Sequence, residues 1–183
     1  LLSNKPLKEK KITAEVCAHH LWWTADDHAS LGARIKWNPA IKTDKDRQAL
    51  RDGLNNGLID IVATDHAPHS AEEKSKGLKG STMGVVGLET AFAVTYTHLV
   101  RTGMITLEKA VELLCDNPRR IFRLGGALRK GERADIAVFD VREPYKVDSQ
   151  TFLSKGKSTP FEEMEVYGRC VMTLYNGKMV WKE

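Results

Sequence analysis

The stretch that decides the fold is IDIVATDHAPH, residues Ile59–His69. Its first half is rich in β-branched residues and predicts a short buried strand. Its second half brings together Asp65, His66 and His69, and Pro68 stops the strand. A buried strand that delivers a carboxylate and imidazoles at its carboxyl end is typical of an α/β barrel. Because Asp and His are metal ligands and proton carriers, the pattern favours catalysis or metal binding about as strongly as a plain polar turn.

Composition argues against several classes of protein. The 183 residues carry 28 Lys and Arg against 24 Asp and Glu, a net charge of +4. The basic residues are dispersed without interleaved aromatics, so nucleic-acid binding has little support. No apolar run approaches the roughly 20 residues of a membrane span. The cysteines Cys17, Cys115 and Cys170 are widely spaced and odd in number, which is typical of a reducing cytosol and not of a disulfide framework.

A strand–helix–strand order is predicted upstream of Asp65. Ile12–Ala18 predicts a strand, and a capping box at Thr43–Asp46 begins a helix that ends at Asn55–Gly57. Two strands joined through a helix form a βαβ unit with parallel strands and a right-handed crossover. Residues 1–11 lack an initiator Met and a signal-peptide core. We interpret them as the end of a helix and a loop, so the chain is expected to start in mid-architecture.

Further polar residues follow predicted strands. His19 and His20 come after the first strand, and adjacent side chains on a strand point to opposite faces. We therefore do not expect both to ligate one ion, and packed histidines are the favoured interpretation. Asn38 precedes Pro39, and its side-chain amide can bind a substrate that carries a carbonyl and an N–H. An Asn-Pro turn would explain the same pair of residues. The glycines of Met83–Gly87 allow backbone N–H groups to approach an anion near the start of a helix. The alternative is that this segment is a plain loop-to-helix junction.

The chain changes character after about residue 127. Helices are predicted over Leu88–Val100 and Leu107–Cys115, and the sequence then becomes rich in strand-forming residues. Cys170–Trp181 predicts a hairpin in which the pair Asn176-Gly177 suits a type I′ turn. Two or three strands alone are barely stable in water, so this β unit must pack on the rest of the protein or pair with strands from elsewhere.

Several of these motifs resemble one family. Asp65–His69, followed by Glu72–Lys74, closely resembles the signature at the end of the eighth barrel strand in class I bacterial-type dihydroorotases. Ile12–Leu21 resembles the family's seventh-strand segment, with alanine in place of the usual proline before the His pair. Asn38-Pro39 is similar to the family's Asn-Pro-Pro element, and Gly84–Thr90 resembles a further motif. The resemblance runs through nearly the whole chain and is most specific around Asp65.

The resemblance implies an α/β fold. Residues 1–126 would form the C-terminal portion of a (β/α)8 (TIM-type) barrel, namely its last two strands and their helices, and residues 127–183 part of a small composite β-sandwich. The family's His-x-His pair, its bridging carbamylated Lys or Asp and two further His ligands would lie upstream of Leu1. Because zinc needs three or four protein ligands and a barrel needs eight strands, this C-terminal part is expected to be inactive by itself.

The resemblance also implies a reaction and a site. The family interconverts N-carbamoyl-L-aspartate and dihydroorotate in cytoplasmic pyrimidine synthesis, with one or two Zn²⁺ ions. Asp65 would be a metal ligand and the general base and acid. Asn38, His69 and the backbone of Met83 and Gly84 would bind the small-molecule substrate. A homodimer of the intact protein and an aspartate transcarbamoylase partner are further expectations.

Two alternatives stay open. A hydantoinase or allantoinase shares the barrel, the metal chemistry and the Asp at this position, but His69 and Asn38 favour dihydroorotase. A catalytically dead homologue that serves as a scaffold for a transcarbamoylase belongs to a different functional class. The site residues present here, which look intact, argue against it. In the dihydroorotase interpretation, His66 is expected to be structural.

Overall fold

The computed structural model describes residues 12–126 and 128–183. Their contacts group into two compact units. The first holds residues up to Ala91 together with Ser149–Pro160, and the second holds Phe92–Asp148 together with Phe161–Glu183. The expected helix end and loop at residues 1–11 lie outside the described residues, and the domain division at residues 126 and 127 stays a prediction.

The described residues form five strands and a series of mostly short helices. The strands are β1 Glu15–Cys17, β2 Ile61–Ala63, β3 Ile136–Lys146, β4 Glu165–Tyr175 and β5 Lys178–Lys182. The α-helices are α1 His28–Leu31, α2 Asp44–Asn55, α3 Ala71–Lys74, α4 Gly77–Gly80, α5 Ala91–Thr95, α6 Leu107–Val111 and α7 Asn117–Ile121. The 3-10 turns are Ala18–Leu21, Ala25–Asp27, Gly32–Ile35 and Ser149–Thr151, and the π-helical turns are Tyr96–Val100 and Glu112–Asp116. None of the helices in these described ranges is long and apolar enough to cross a membrane.

In the first unit, β1 and β2 form the predicted parallel pair. The register places Glu15 beside Ile61, Val16 beside Val62 and Cys17 beside Ala63. Because both strands run in the same direction, their carboxyl ends lie at one edge of the sheet. The residues that follow Cys17 and those that follow Ala63 therefore start from the same edge.

Helix α2 connects the two strands, and its ends follow the predicted signals. The Thr43 hydroxyl accepts a hydrogen bond from the Asp46 N–H, and the Asp46 carboxylate accepts one from the Thr43 N–H at 3.1 Å. This capping box satisfies N–H groups that the first helical turn leaves unpaired. Leu54 is fully buried near the end of the helix, and Gly57 follows with φ +69°, a backbone conformation that glycine adopts at little cost.

A small apolar cluster fixes the segment that carries Asn38. Its buried members are Ile35, Trp37, Ile41 and Val85, with Trp23 and Leu31 packed against them. Because Trp37 is 2% exposed, the neighbouring Asn38 is held at the surface of a rigid cluster.

The second unit contains an antiparallel sheet in the order β3-β4-β5. The hairpin between β4 and β5 turns at Asn176 and Gly177, which have φ values of +50° and +74°. Positive φ at both central residues is the requirement of a type I′ turn, so this prediction is confirmed. Glycine is the residue that reaches this conformation without strain.

Within this second unit the sheet packs on helical residues, as two or three strands require. The rings of Phe92 and Phe139 stack with centroids 3.9 Å apart. Gly168 of β4 allows close contact, since a Cβ there would lie 2.7 Å from the Phe92 ring. The helix predicted over Leu88–Val100 begins later than expected, at Ala91, because the preceding residues form a turn.

Candidate active site at the ends of two parallel strands

Asp65 lies just beyond the carboxyl end of β2. The residue is exposed, and its backbone has φ +47°, a region in which Asp is tolerated better than most residues. In the described part of the chain no hydrogen bond or ion pair engages the Asp65 carboxylate. The local backbone thus presents an uncommitted carboxylate at the edge where β1 and β2 both end.

His66 has a structural role, as its sequence position suggested. It bridges to Val85 in parallel orientation. The His66 Nδ1 atom accepts hydrogen bonds from the Gly87 N–H at 3.2 Å and from the Leu88 N–H at 3.3 Å. Since Nδ1 accepts these bonds, this histidine holds the segment after β2 against the segment around Val85 and is not available as a ligand through that atom.

The structure brings His69 together with Met83 and Gly84. The His69 Nε2–H donates to the Met83 carbonyl at 2.9 Å, and Nδ1 lies 3.6 Å from the Glu73 carboxylate. Gly84 is required for this approach. A Cβ at residue 84 would lie 2.7 Å from Cδ2 and 2.9 Å from Nε2 of the His69 ring, and it would also collide with the Ala67 carbonyl.

Some of the backbone groups predicted to bind substrate already form hydrogen bonds within the chain. The Gly84 N–H donates to the Lys36 carbonyl at 3.0 Å, and the Gly84 carbonyl accepts from Lys74. The Met83 N–H makes no hydrogen bond within the described ranges. Gly84 therefore contributes mainly through its missing side chain, and Met83 offers the free donor.

Lys74 organises this segment, a role that sequence reasoning did not assign. The side chain is 7% exposed. Its ammonium donates to the carbonyls of Lys36 at 3.3 Å, Thr82 at 3.1 Å and Gly84 at 2.9 Å. Burial, followed by the charge of Lys36, lowers the Lys74 pKa. The only signal in the sequence was the place of this lysine in the motif after His69.

Asn38 is exposed and is joined to Pro39 by a cis peptide bond. It forms no hydrogen bond to Asp65 or His69 in the described structure. Two neighbours connect it to the site: the Pro39 carbonyl accepts from the His20 Nε2–H at 2.8 Å, and the Lys36 carbonyl anchors the loop around Gly84. Asn38 thus lies between the turn that carries His20 and the segment that carries Gly84.

His19 is packed as expected, with 2% of its surface exposed and its ring centroid 4.3 Å from that of Trp37, but the alternation argument used for His19 and His20 is wrong. Strand β1 ends at Cys17, and the two histidines lie in a 3-10 turn, so the alternation of side chains along a strand does not apply. Their ring centroids are 4.5 Å apart. Cys17, His19 and His20 each offer one potential ligand atom, and these three atoms lie within 4.8 Å of one another. The two histidines can therefore face one ion.

Burial controls the protonation of this cluster. Burial, and then the charge of His20, lowers the pKa of His19 to about 3, so its imidazole is neutral at pH 7. Burial, and then the negative charges of Asp65 and Glu15, raises the pKa of the Cys17 thiol to about 12. The effect of Asp65 on Cys17 agrees with their positions at one edge of the parallel pair.

Comparison with known sequences finds dihydroorotases. The dihydroorotase of Bacillus cytotoxicus is 47% identical over 174 residues, which are 94% of this chain and 41% of that protein. The dihydroorotase of Geobacillus sp. strain WCH70 is 46% identical with the same coverage. The chain thus spans about two fifths of the length of these relatives.

Solved structures show the same fold. L-hydantoinase from Arthrobacter aurescens superposes with a TM-score of 0.89 and 32% identity over 96% of this chain and 40% of that one. A dihydropyrimidinase from Brevibacillus agri, 23% identical over 96% of this chain and 41% of that one, has a TM-score of 0.86 and supports the fold alone. The predicted α/β fold class, a portion of a TIM-type hydrolase, is confirmed. The amidohydrolase sequence model matches residues 5–180, and the chain therefore belongs to the amidohydrolase family.

Proposed function

We propose that this chain supplies part of the active site of a dihydroorotase, which interconverts dihydroorotate and N-carbamoyl-L-aspartate. The observation that carries the proposal is that the segment after β2 holds both the uncommitted Asp65 carboxylate and His69, whose ring is held on the Met83 carbonyl. The two relatives described above, 46% and 47% identical and both dihydroorotases, support the choice of substrate.

We assign Asp65 as a ligand of the one or two zinc ions that such an enzyme uses. An exposed carboxylate without an ion-pair partner in the described residues fits an oxygen ligand of a divalent cation. When bound, zinc supplies a Lewis acid and makes water more acidic. The remaining ligands of that centre would come from the part of such an enzyme that this chain does not cover, since the chain spans about two fifths of the length of its relatives.

Asp65 also moves the proton of the reaction. During ring opening, its carboxylate takes a proton from the attacking water and then gives that proton to the amide nitrogen that leaves. Ring closure reverses both transfers. A single positioned carboxylate can serve both steps because the proton that it takes is the proton that it returns.

The substrate's carboxylate is the group that His69 and Met83 would bind. The His69 ring can turn its N–H from the Met83 carbonyl to an anion, and the Met83 N–H has no competing partner within the described ranges. Asn38, exposed beside the same segments, can donate and accept at the substrate's amide groups. Lys74 keeps the Thr82–Gly84 backbone in place for these contacts.

A second candidate is a hydantoinase, favoured by the likeness to the L-hydantoinase at 32% identity. Hydantoin and dihydroorotate both contain a cyclic amide, but only dihydroorotate carries a carboxylate on its ring. An anion-binding pair formed by His69 and Met83 would therefore favour dihydroorotate, whereas a site for hydantoin has no need of it.

A chimera tests this choice. It joins this chain to the part of the Bacillus cytotoxicus dihydroorotase that the chain does not cover. We expect the zinc-loaded chimera to turn over dihydroorotate at least about 100-fold faster than hydantoin or allantoin, measured as kcat/KM, because unpaired polar groups penalise a substrate that lacks the carboxylate. Preference for hydantoin would support the second candidate, and a folded, zinc-loaded chimera without activity on any of the three would contradict both.

Location and assembly are further parts of the proposal. All three cysteines are free, which supports a cytoplasmic protein, since reduced thiols are the rule in that compartment. The homodimer and the aspartate transcarbamoylase partner stay predictions based on the family resemblance, and size measurement of the chimera with and without a transcarbamoylase would test them.

A further inference from the structure

The cluster of Cys17, His19 and His20 has no part in the function proposed above. We propose that these three side chains form a second cation site, which takes zinc or another thiophilic divalent ion. The site lies on the last residue of β1 and the turn that follows it, whereas Asp65 follows β2. It does not rest on the dihydroorotase assignment.

One nitrogen atom of this cluster is buried and has no hydrogen-bond partner among the described residues. His19 is 2% exposed, and its Nε2 atom is shielded from solvent and has no hydrogen-bond partner in the described structure. Buried polar atoms are normally hydrogen-bonded, and an exception calls for an explanation such as a missing ion. A cation held with Cys17 and His20 would satisfy this nitrogen.

The hydrogen bond of His20 prepares its ring as a ligand. The Nε2–H of His20 donates to the Pro39 carbonyl at 2.8 Å. This bond leaves the lone pair of Nδ1 free for a metal. Metal-binding histidines usually donate their second ring N–H to a carbonyl or carboxylate in this way, which fixes the tautomer and the orientation of the ring.

The ligand type and spacing select the ion. One thiolate and two imidazoles are a zinc-binding set that leaves a fourth position for water. Tetrahedral bonds of about 2.0–2.3 Å place ligand atoms about 3.5 Å apart, and the three atoms here lie within 4.8 Å of one another. Cys17 is only partly buried, so rotation of its side chain can bring its sulfur closer to the two imidazoles.

Binding is an exchange of a proton for a cation. The Cys17 thiol loses its proton to solvent, and the resulting thiolate donates an electron pair to the ion. The two imidazoles bind as neutral ligands. No oxidation or reduction is involved, and the cation adds a positive charge at the strand edge that also carries Asp65.

Cobalt titration of the 183-residue chain tests the proposal, because Co²⁺ reports thiolate ligation directly. We expect one equivalent of Co²⁺ to produce a thiolate-to-cobalt charge-transfer band and intense tetrahedral d–d bands, which one equivalent of Zn²⁺ removes. Cys17→Ser and His19→Ala should abolish the thiolate band or weaken cobalt binding at least tenfold. Cys115→Ser, which removes another partly buried free thiol, should leave the spectrum unchanged.

One further variant and a second protein separate this site from the proposed active site. Asp65→Asn should keep the thiolate band in full. Loss of the band in that variant, or its survival in Cys17→Ser, would overturn the three-residue site. The titration is repeated in the zinc-depleted chimera. The site can then be tested even if the 183-residue chain does not fold by itself. There Cys17→Ser must remove one equivalent of cobalt and the whole thiolate band, and an unchanged stoichiometry would contradict the proposal whatever the activity of the chimera.

Discussion

The Asp65→Asn variant of the chimera is expected to lose about a thousandfold or more of its kcat on dihydroorotate. Asparagine has nearly the same size as aspartate but cannot take up the proton that the reaction moves, and general acid–base groups contribute about 10² to 10⁴-fold. Asp65 is exposed and has no hydrogen-bond or ion-pair partner in the described residues, so the substitution should leave the fold intact. Steady-state kinetics, with circular dichroism as the test of folding, measures the effect.

Asp52→Asn is the matched control for this variant. Asp52 is an exposed aspartate on α2, and its carboxylate accepts a hydrogen bond from Gln48 on the same helix at 2.9 Å. Its loss should change kcat by less than about twofold, as surface substitutions away from a site usually have small effects. Near-normal kcat in Asp65→Asn would remove Asp65 from the mechanism.

Replacement of Gly84 by alanine should have the second largest effect. The added Cβ would collide with the Ala67 carbonyl and lie within 2.9 Å of two atoms of the His69 ring. Both neighbours must move, and the backbone at residue 84 has φ +152°, which side-chain-bearing residues rarely adopt. We expect kcat/KM for dihydroorotate to fall by about a hundredfold, because displacement of a binding group by about 1 Å has that cost.

The glycine control is Gly125→Ala. A Cβ at Gly125 meets no atom within 4 Å, and φ there lies outside the range that alanine avoids, so activity should stay within about twofold of the parent chimera. The effect of Gly84→Ala should fall mainly on KM, since His69 is assigned to substrate binding. Unchanged KM and kcat in a folded Gly84→Ala variant would show that the contact between Gly84 and His69 has no bearing on the site.

The parts of the fold that could be predicted are those determined by short sequence patterns. The β-branched residues before Asp65 and the capping box at Thr43 are short-range patterns, and the parallel pair and helix α2 follow from them. The pair Asn176-Gly177 likewise determines its own turn. The error at His19 and His20 arose because strand alternation was extended past Cys17, where β1 already ends.

The site was less accessible to sequence reasoning, since its geometry depends on distant contacts. The motif placed Asp65 and His69 correctly relative to the end of β2. The role of Lys74 depends on carbonyls contributed by Lys36 and Gly84, 38 and 10 residues away in the chain. No local pattern predicts that these carbonyls converge on one ammonium. The hydrogen bond from the Gly84 N–H to the Lys36 carbonyl could not be predicted for the same reason.

We propose that Asp65 is the carboxylate through which this chain holds catalytic zinc. A crystal structure of the zinc-loaded chimera, with anomalous scattering measured at the zinc edge, tests it most directly. We predict a zinc ion about 2.0–2.2 Å from an Asp65 carboxylate oxygen. An active, zinc-loaded chimera whose metal centre is complete without any contact from Asp65 would contradict this role of Asp65.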